Sequence, residues 1–177
     1  IYHSRELFFL VAIYPSTNKI LKIMLPHADK KQALKEISEH YPDYELSPEY
    51  EDIAREVAKL YFGENSKLEL EQLELNCDNQ KSPIKTIFMR NVLLETYNIP
   101  TGKFETYKSL AQKLNTHAYR AVGTALARNP FPLIIPCHRV LRSDKTVGKF
   151  GGGSEMKKEL LKREGVKIKG NKVVNKK

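Results

Sequence analysis

Five consecutive residues, Pro136-Cys137-His138-Arg139-Val140, place a thiol beside an imidazole and a guanidinium. Cysteine attacks as its thiolate, and a nearby base or positive charge makes that form accessible. A short apolar run, Leu133-Ile134-Ile135, precedes the motif between two prolines and reads as a buried strand. On an extended segment adjacent side chains point to opposite faces, so a water bridging Cys137 and His138 is expected rather than direct contact. Metal binding is the other use of Cys with His, but zinc wants four ligands in paired spacings. Here the two are adjacent and no second pair follows, so no metal is expected. Cys77, the other thiol, reads as an inert or solvated residue. Two cysteines exclude a disulfide scaffold and favour a reducing compartment.

Downstream, Gly148-Lys149-Phe150-Gly151-Gly152-Gly153-Ser154 is rich in glycine and lets backbone pass close to a flat ligand. Ser154 is expected to cap a last helix carrying Met156, Leu160 and Leu161. Glu164 stands at its end, where the helix dipole disfavours an acid. A solvated end tolerates this, and so does a specific basic partner such as an imidazole. Gly170-Asn171 then divides two alternating segments between Val166 and Val174, a small hairpin.

The elements before the cysteine make a helix–turn–helix. Thr106 caps a helix over 107–114, Asn115-Thr116 turns, and a second helix is expected over 117–128. That helix is crowded with small residues, Ala118, Ala121, Gly123, Thr124, Ala125 and Ala127. Reading base edges in the major groove needs long polar side chains, and Arg120, Arg128 and Tyr119 are the few on offer. A small-residue surface suits close approach to a minor groove with little sequence preference. The same alanines could pack against a neighbouring helix.

The fold class expected is α/β: a small N-terminal domain over 1–78, a sheet with helices, and a mainly helical C-terminal domain over 79–177. Strands are expected over 6–14 and 20–25 around the turn Pro15-Ser16-Thr17-Asn18. Asp29 caps a helix reaching His40. Ser47-Pro48 opens a second helix with Ile53, Val57, Leu60 and Tyr61 on one side, ended by Gly63. Leu68 to Leu75 alternates as a strand with one wet face. Asn76 to Lys81 reads as the linker, and Ser82-Pro83 as the cap of a helix with Ile84, Ile87, Phe88, Val92 and Leu93 as its apolar set. Of 177 residues with net charge +9, the first 78 carry −6 and the remainder +15. The basic half suggests a nucleic-acid surface, though a solubilised face explains such an excess equally well. No apolar run is long enough to span a membrane, and no signal-peptide pattern is present.

Arg120-Ala121-Val122-Gly123, Asn129-Pro130 and Pro136-Cys137-His138-Arg139-Val140 together resemble the O6-alkylguanine-DNA alkyltransferases. The resemblance covers roughly residues 83–165; the first domain resembles the family's variable N-terminal domain in layout alone. It implies that Cys137 accepts the alkyl group, that His138 through a water and Glu164 complete its proton relay, and that Asn129 organises the turn. It implies that Tyr107 bonds the flipped guanine and that Arg120 fills the vacated stack. Thr106, Ala121, Gly123, Thr124, Arg128 and Arg139 would lie on DNA. Val147, Phe150, Gly151, Gly152 and Gly153, with Tyr107, would line the base pocket. Gly151 stands where relatives often carry Ser, so a backbone N–H would replace that side-chain contact. Leu141-Arg142-Ser143-Asp144-Lys145 is charged where relatives vary. The metal ligands of some relatives' N-terminal domains have no match here.

The resemblance implies a monomer acting on double-stranded DNA without a cofactor, in the cytoplasm of a prokaryote or the nucleus of a eukaryote. A thioether product has no thiol-exchange route back, so each molecule would react once. The alternatives are a binding-only relative, which would lack the nucleophile, a helix–turn–helix regulator, which the poor base-reading helix disfavours, and a thiol hydrolase, which would turn over.

Overall fold

The computed structural model describes residues 1–174 and has the α/β character expected, with six α-helices and four two-stranded sheets. The chain divides into two compact units, Ile1–Pro83 with Pro130–Ile134, and Ile84–Asn129 with the chain from Ile135 onward. The division therefore falls after the expected linker. Asn79 explains this: its Nδ2 donates to Glu74 Oε2 at 2.9 Å, and its carbonyl accepts from Ser82 N–H at 2.9 Å, tying 76–82 to the first unit. No helix of the described residues is long and apolar enough to cross a membrane.

In the first unit β1 (Tyr2–Ser4) pairs with β2 (Leu7–Phe9), and β3 (Val11–Tyr14) with β4 (Lys19–Ile23), all antiparallel. The single strand expected over 6–14 breaks at Leu10, whose carbonyl accepts from Met24 N–H at 3.0 Å while its side chain is buried. Helix α1 (Lys30–His40) is capped by Asp29, which accepts from Lys31 N–H at 2.8 Å. Its Ala33 and Ile37 close a core with Leu10, Ala12, Leu21 and Met24. Helix α2 (Glu51–Phe62) starts later than Ser47-Pro48 predicts, because Ser47 Oγ accepts from Glu49 N–H and makes a local turn instead. Gly63 ends it in the left-handed conformation, φ 78°. The strand expected over 68–75 is a 3₁₀ turn, Leu70–Gln72, with a single bridge from Leu73 to Ile20. Gln72 Oε1 accepts from Glu69 N–H at 2.9 Å and winds the backbone up.

The second unit begins with α3 (Ile87–Tyr97), capped by Thr86 rather than Ser82, with Met89 N–H on Thr86 Oγ1 at 3.1 Å. Its inner face is Met89, Val92, Leu93 and Thr96; Ile87, expected in the apolar stripe, is 70% exposed because the later start turns it outward. Strand β5 (Glu105–Thr106) leads into α4 (Tyr107–Lys113), and α5 (Tyr119–Ala127) follows after Asn115, whose φ is 52°. Ala118 is the N-cap of α5, so the helix is shorter at both ends than expected. The helix divides by face: Val122, Ala125 and Leu126 are buried, whereas the small residues Ala121, Thr124 and Ala127 are exposed. Strand β6 (Val140–Leu141) pairs parallel to β5, Glu105 opposite Val140 and Thr106 opposite Leu141. Helix α6 (Gly153–Arg163) starts one residue before the expected cap, Ser154, with Gly152 as N-cap. The hairpin β7 (Ile168–Lys169) and β8 (Lys172–Val173) closes a core of Leu141, Val147, Leu161, Val166 and Val173.

Candidate functional site

The segment before the cysteine is not a strand. Leu133-Ile134 forms a turn in which Leu133 takes φ 76°, although the side chains of 133–135 are buried. Flanking prolines, which lack N–H donors, favour a turn over a ladder here. Cys137–Arg139 then winds as a 3₁₀ helix, so the opposite-face geometry expected for Cys137 and His138 does not apply. Ile135 carbonyl accepts from Cys137 N–H at 2.8 Å and from Asn129 Nδ2 at 2.9 Å, so Asn129 braces the turn that presents the thiol.

Cys137 is 9% exposed. Burial pushes its thiol pKa up; hydrogen bonding from the Asn129 side chain, the Lys157 charge and nearby backbone N–H groups pull the other way without overcoming it. His138, 2% exposed, places Nε2 2.8 Å from Glu164 Oε1. Burial lowers the imidazole pKa against the opposing pull of Glu164, so the ring is neutral at neutral pH. In that state Nε2 carries the proton and donates to Glu164, and Nδ1 carries the lone pair. Nδ1 is buried and has no protein hydrogen-bond partner. The Phe150 ring meets His138 edge-on, centroids 6.4 Å apart.

Burial would raise the Glu164 carboxyl, but hydrogen bonds from His138 and Arg139 outweigh it and hold the pKa at about 2. Arg139 donates from Nη2 to Glu164 Oε1 at 2.8 Å and from Nε to Oε2 at 2.9 Å. It also donates to Ile99 carbonyl at 2.5 Å and Thr101 Oγ1 at 3.1 Å. Its guanidinium, 13% exposed, is thus committed inward. The expected place of Arg139 on DNA is corrected: it clamps Glu164. Gly102 completes the clamp, its N–H 3.3 Å from Glu164 Oε2.

Tyr107 is the first residue of α4, held beside β6 by the β5–β6 ladder. Burial raises its phenol pKa, the Cys137 charge raises it further, and Arg142 opposes both, so phenol and sulfur are electrostatic neighbours. Thr106, expected on DNA, accepts from Ser109 N–H at 3.0 Å and caps α4. Among the expected DNA residues, Arg120, Ala121, Thr124 and Arg128 are exposed on α5 or at its end, and Gly123 is half-buried. Val147, expected to line the pocket, is 4% exposed and belongs to the core cluster with Leu141, Leu161, Val166 and Val173. Gly151 and Gly153 are exposed and Gly152 half-buried where the loop enters α6.

Lys157 was not among the expected residues. It is fully buried on α6, its ammonium donates to Val140 carbonyl at 2.6 Å, and burial lowers its pKa to about 8. Its spacing was a legible signal, since a lysine three, four and seven residues before Leu160, Leu161 and Glu164 lies on the inner face of a helix. Among the described residues no group of three His, Cys, Asp or Glu side chains is placed to hold a metal ion.

The family model described as "6-O-methylguanine DNA methyltransferase, DNA binding domain" matches residues 87–166. A methylated-DNA–protein-cysteine methyltransferase of Methanothermobacter thermautotrophicus is 47% identical over 85 residues, covering 48% of this chain and 48% of that protein. The chain thus spans about half the length of the curated relatives it matches. A solved O6-methylguanine DNA methyltransferase from Methanococcus jannaschii is 32% identical, with TM-score 0.60, covering 97% of this chain and 98% of that one. A Mycobacterium tuberculosis OGT, solved in complex with DNA, is 29% identical with TM-score 0.54 over 64% of this chain and 65% of that one. With the M. jannaschii likeness running through nearly its whole length, this chain belongs to the O6-methylguanine-DNA methyltransferase family.

Proposed function

We propose that this protein repairs O6-alkylguanine in double-stranded DNA by moving the alkyl group to Cys137 Sγ, once per molecule. The observation that carries the reading is the His138–Glu164 contact, which takes up Nε2 and leaves the buried Nδ1 without a partner, one residue along the chain from the buried Cys137. A bare imidazole lone pair is a base for the thiol proton through a water.

The alkyl carbon lies inside the base stack, so the nucleotide must first be extruded, at about a few kcal/mol. Arg120, exposed on α5, fills the gap, and the exposed Ala121, Thr124 and Ala127 let the helix approach a minor groove without reading sequence. The thiol proton passes to His138 Nδ1, and Glu164 stabilises the imidazolium that forms. The thiolate attacks the alkyl carbon in line, forming the C–S bond as the C–O6 bond breaks. The bonding pair leaves with guanine, whose developing negative charge is met by the Tyr107 hydroxyl. Lys157, also near the sulfur, favours the thiolate electrostatically.

The test is to incubate the protein with a duplex containing O6-methylguanine and map its mass by peptide. One CH₂ is expected on the Cys137 peptide and none on the Cys77 peptide, with no second turnover. Tight binding without mass gain would instead support a non-catalytic alkylated-DNA binder, and a footprint on one preferred sequence would support a regulator.

A further inference from the structure

The turn after β6 holds an arginine that the reaction above leaves unused. Arg142 opens a tight turn: its carbonyl accepts from Lys145 N–H at 2.9 Å, and its own N–H donates to Thr146 carbonyl at 3.2 Å. The backbone at Arg142 is therefore fixed from both sides. Its stem runs along Gly148, where a Cβ would stand 3.8 Å from Arg142 Cγ and 3.5 Å from the Tyr107 hydroxyl. The arginine stem and the phenol thus flank one strip of backbone that carries no side chain. The guanidinium is exposed, and among the described residues it forms no hydrogen bond or ion pair. Arg139 is the contrast, with its head group consumed by Glu164, Ile99 and Thr101.

A second cation follows. Exposed Lys172 on β8 and Arg142 both act on Asp144, the single acid of the turn. The Asp144 Oδ1 accepts from Thr146 N–H at 3.0 Å and from its hydroxyl at 2.7 Å, so the carboxylate is bound back into its own turn. An open depression of about 470 Å³ lies between this turn and β8 and includes Lys172.

We propose that Arg142 is a phosphodiester-binding subsite beside Tyr107, gripping a backbone phosphate of the extruded nucleotide while Tyr107 and Cys137 engage its base. This rests on the repair reading. An extruded base enters a buried site, but its flanking phosphates stay charged and hydrated outside it. A guanidinium with a fixed root and an uncommitted fork suits a phosphate in two-pronged geometry. Lys172 extends the track along the same strand as a point charge. Asp144 opposes both, so neutralising it strengthens the grip.

The test compares wild type with Arg142→Gln on two substrates: an O6-methylguanine duplex and the free O6-methylguanine base, which has no phosphate. With the duplex below saturation, Arg142→Gln is expected to slow transfer about tenfold or more, the effect of losing a charged hydrogen bond. The free-base rate should stay within about twofold, and the slope of log affinity against log salt should fall by about one. Asp144→Asn should shift duplex affinity the opposite way. Equal losses on both substrates would mean that Arg142 acts on the phenol, and no loss on either would remove it from binding; both overturn the subsite. A wild-type protein that transfers nothing from the duplex overturns the repair reading and the subsite together. Normal wild-type transfer with an unaffected Arg142→Gln overturns the subsite alone.

Discussion

His138 Nε2 and Glu164 Oε1 stand 2.8 Å apart, joined across 26 residues of chain. The contact sets which imidazole nitrogen is bare, and the arginine next in sequence holds the carboxylate still. Glu164→Gln removes the charge that stabilises the imidazolium. It should slow single-turnover alkyl transfer by about 10²-fold, the usual size of a lost general-base contribution. An unchanged rate would take the pair out of the proton path.

The same carboxylate predicts an acid limit. Its folded pKa is about 2 against an ordinary 4.5, so its stabilising contribution is full above 4.5 and is lost as pH falls towards 2. Thermal midpoints should decline over that window, and less steeply in Glu164→Gln. Arg139→Met removes one of the groups that hold the Glu164 pKa down, so the window narrows from its acid end and the total decline should be smaller than in wild type. Coincident pH profiles for all three proteins would refute this.

Gly102 should be among the least replaceable residues away from the sulfur. Its φ is 74°, and a Cβ there would stand 2.8 Å from the Glu164 carbonyl. Gly165 also has a positive φ, 81°, but a Cβ there meets nothing within 4 Å. Gly165→Ala should cost about 1 kcal/mol from backbone strain, and Gly102→Ala about 1 to 2 kcal/mol more. Equal losses in chemical denaturation would show that the close approach is relieved at no cost.

Lys157→Met separates stability from reactivity. Replacing the buried ammonium by an apolar chain of similar length removes a desolvated charge but leaves the Val140 carbonyl without that donor, so the stability cost is expected to stay within about 1–3 kcal/mol. The Cys137 thiol loses a neighbouring positive charge and its pKa should climb further. The pH dependence of iodoacetamide labelling at Cys137 reads this, and a shift to lower pH would contradict it.

Arg120 is exposed on α5. Arg120→Ala should weaken transfer from duplex by about tenfold or more while sparing the free base, because extrusion itself costs a few kcal/mol. Equal effects on both substrates would remove it from extrusion.

Much of this was legible in the chain because local signals and packing agree. Thr106 announces the start of α4, and Gly63 and Gly170 mark turns that the fold uses. Glu164 at a helix end was an electrostatic oddity that the geometry resolves with two basic partners. What was misread follows from side-chain hydrogen bonds that override periodicity. Gln72 winds an alternating leucine stretch into a 3₁₀ turn, and Asn79 draws the expected linker into the first unit. The inward turn of Arg139 depends on a contact with a residue 25 positions away, which no local pattern carries, whereas the burial of Lys157 follows from its helical spacing to Leu160 and Leu161.

The β5–β6 pairing has a consequence for redesign. Glu105 faces Val140 and Thr106 faces Leu141, so the phenol donor and the sulfur are gauged against each other by two rungs of parallel ladder. The helix–turn–helix is an excursion that leaves one rung and returns at the other. Tyr107 directly follows β5 and Cys137 stands three residues before β6, so changes confined to the exposed Ala121, Thr124 and Ala127 alter the outer face of α5 without touching either end of that span.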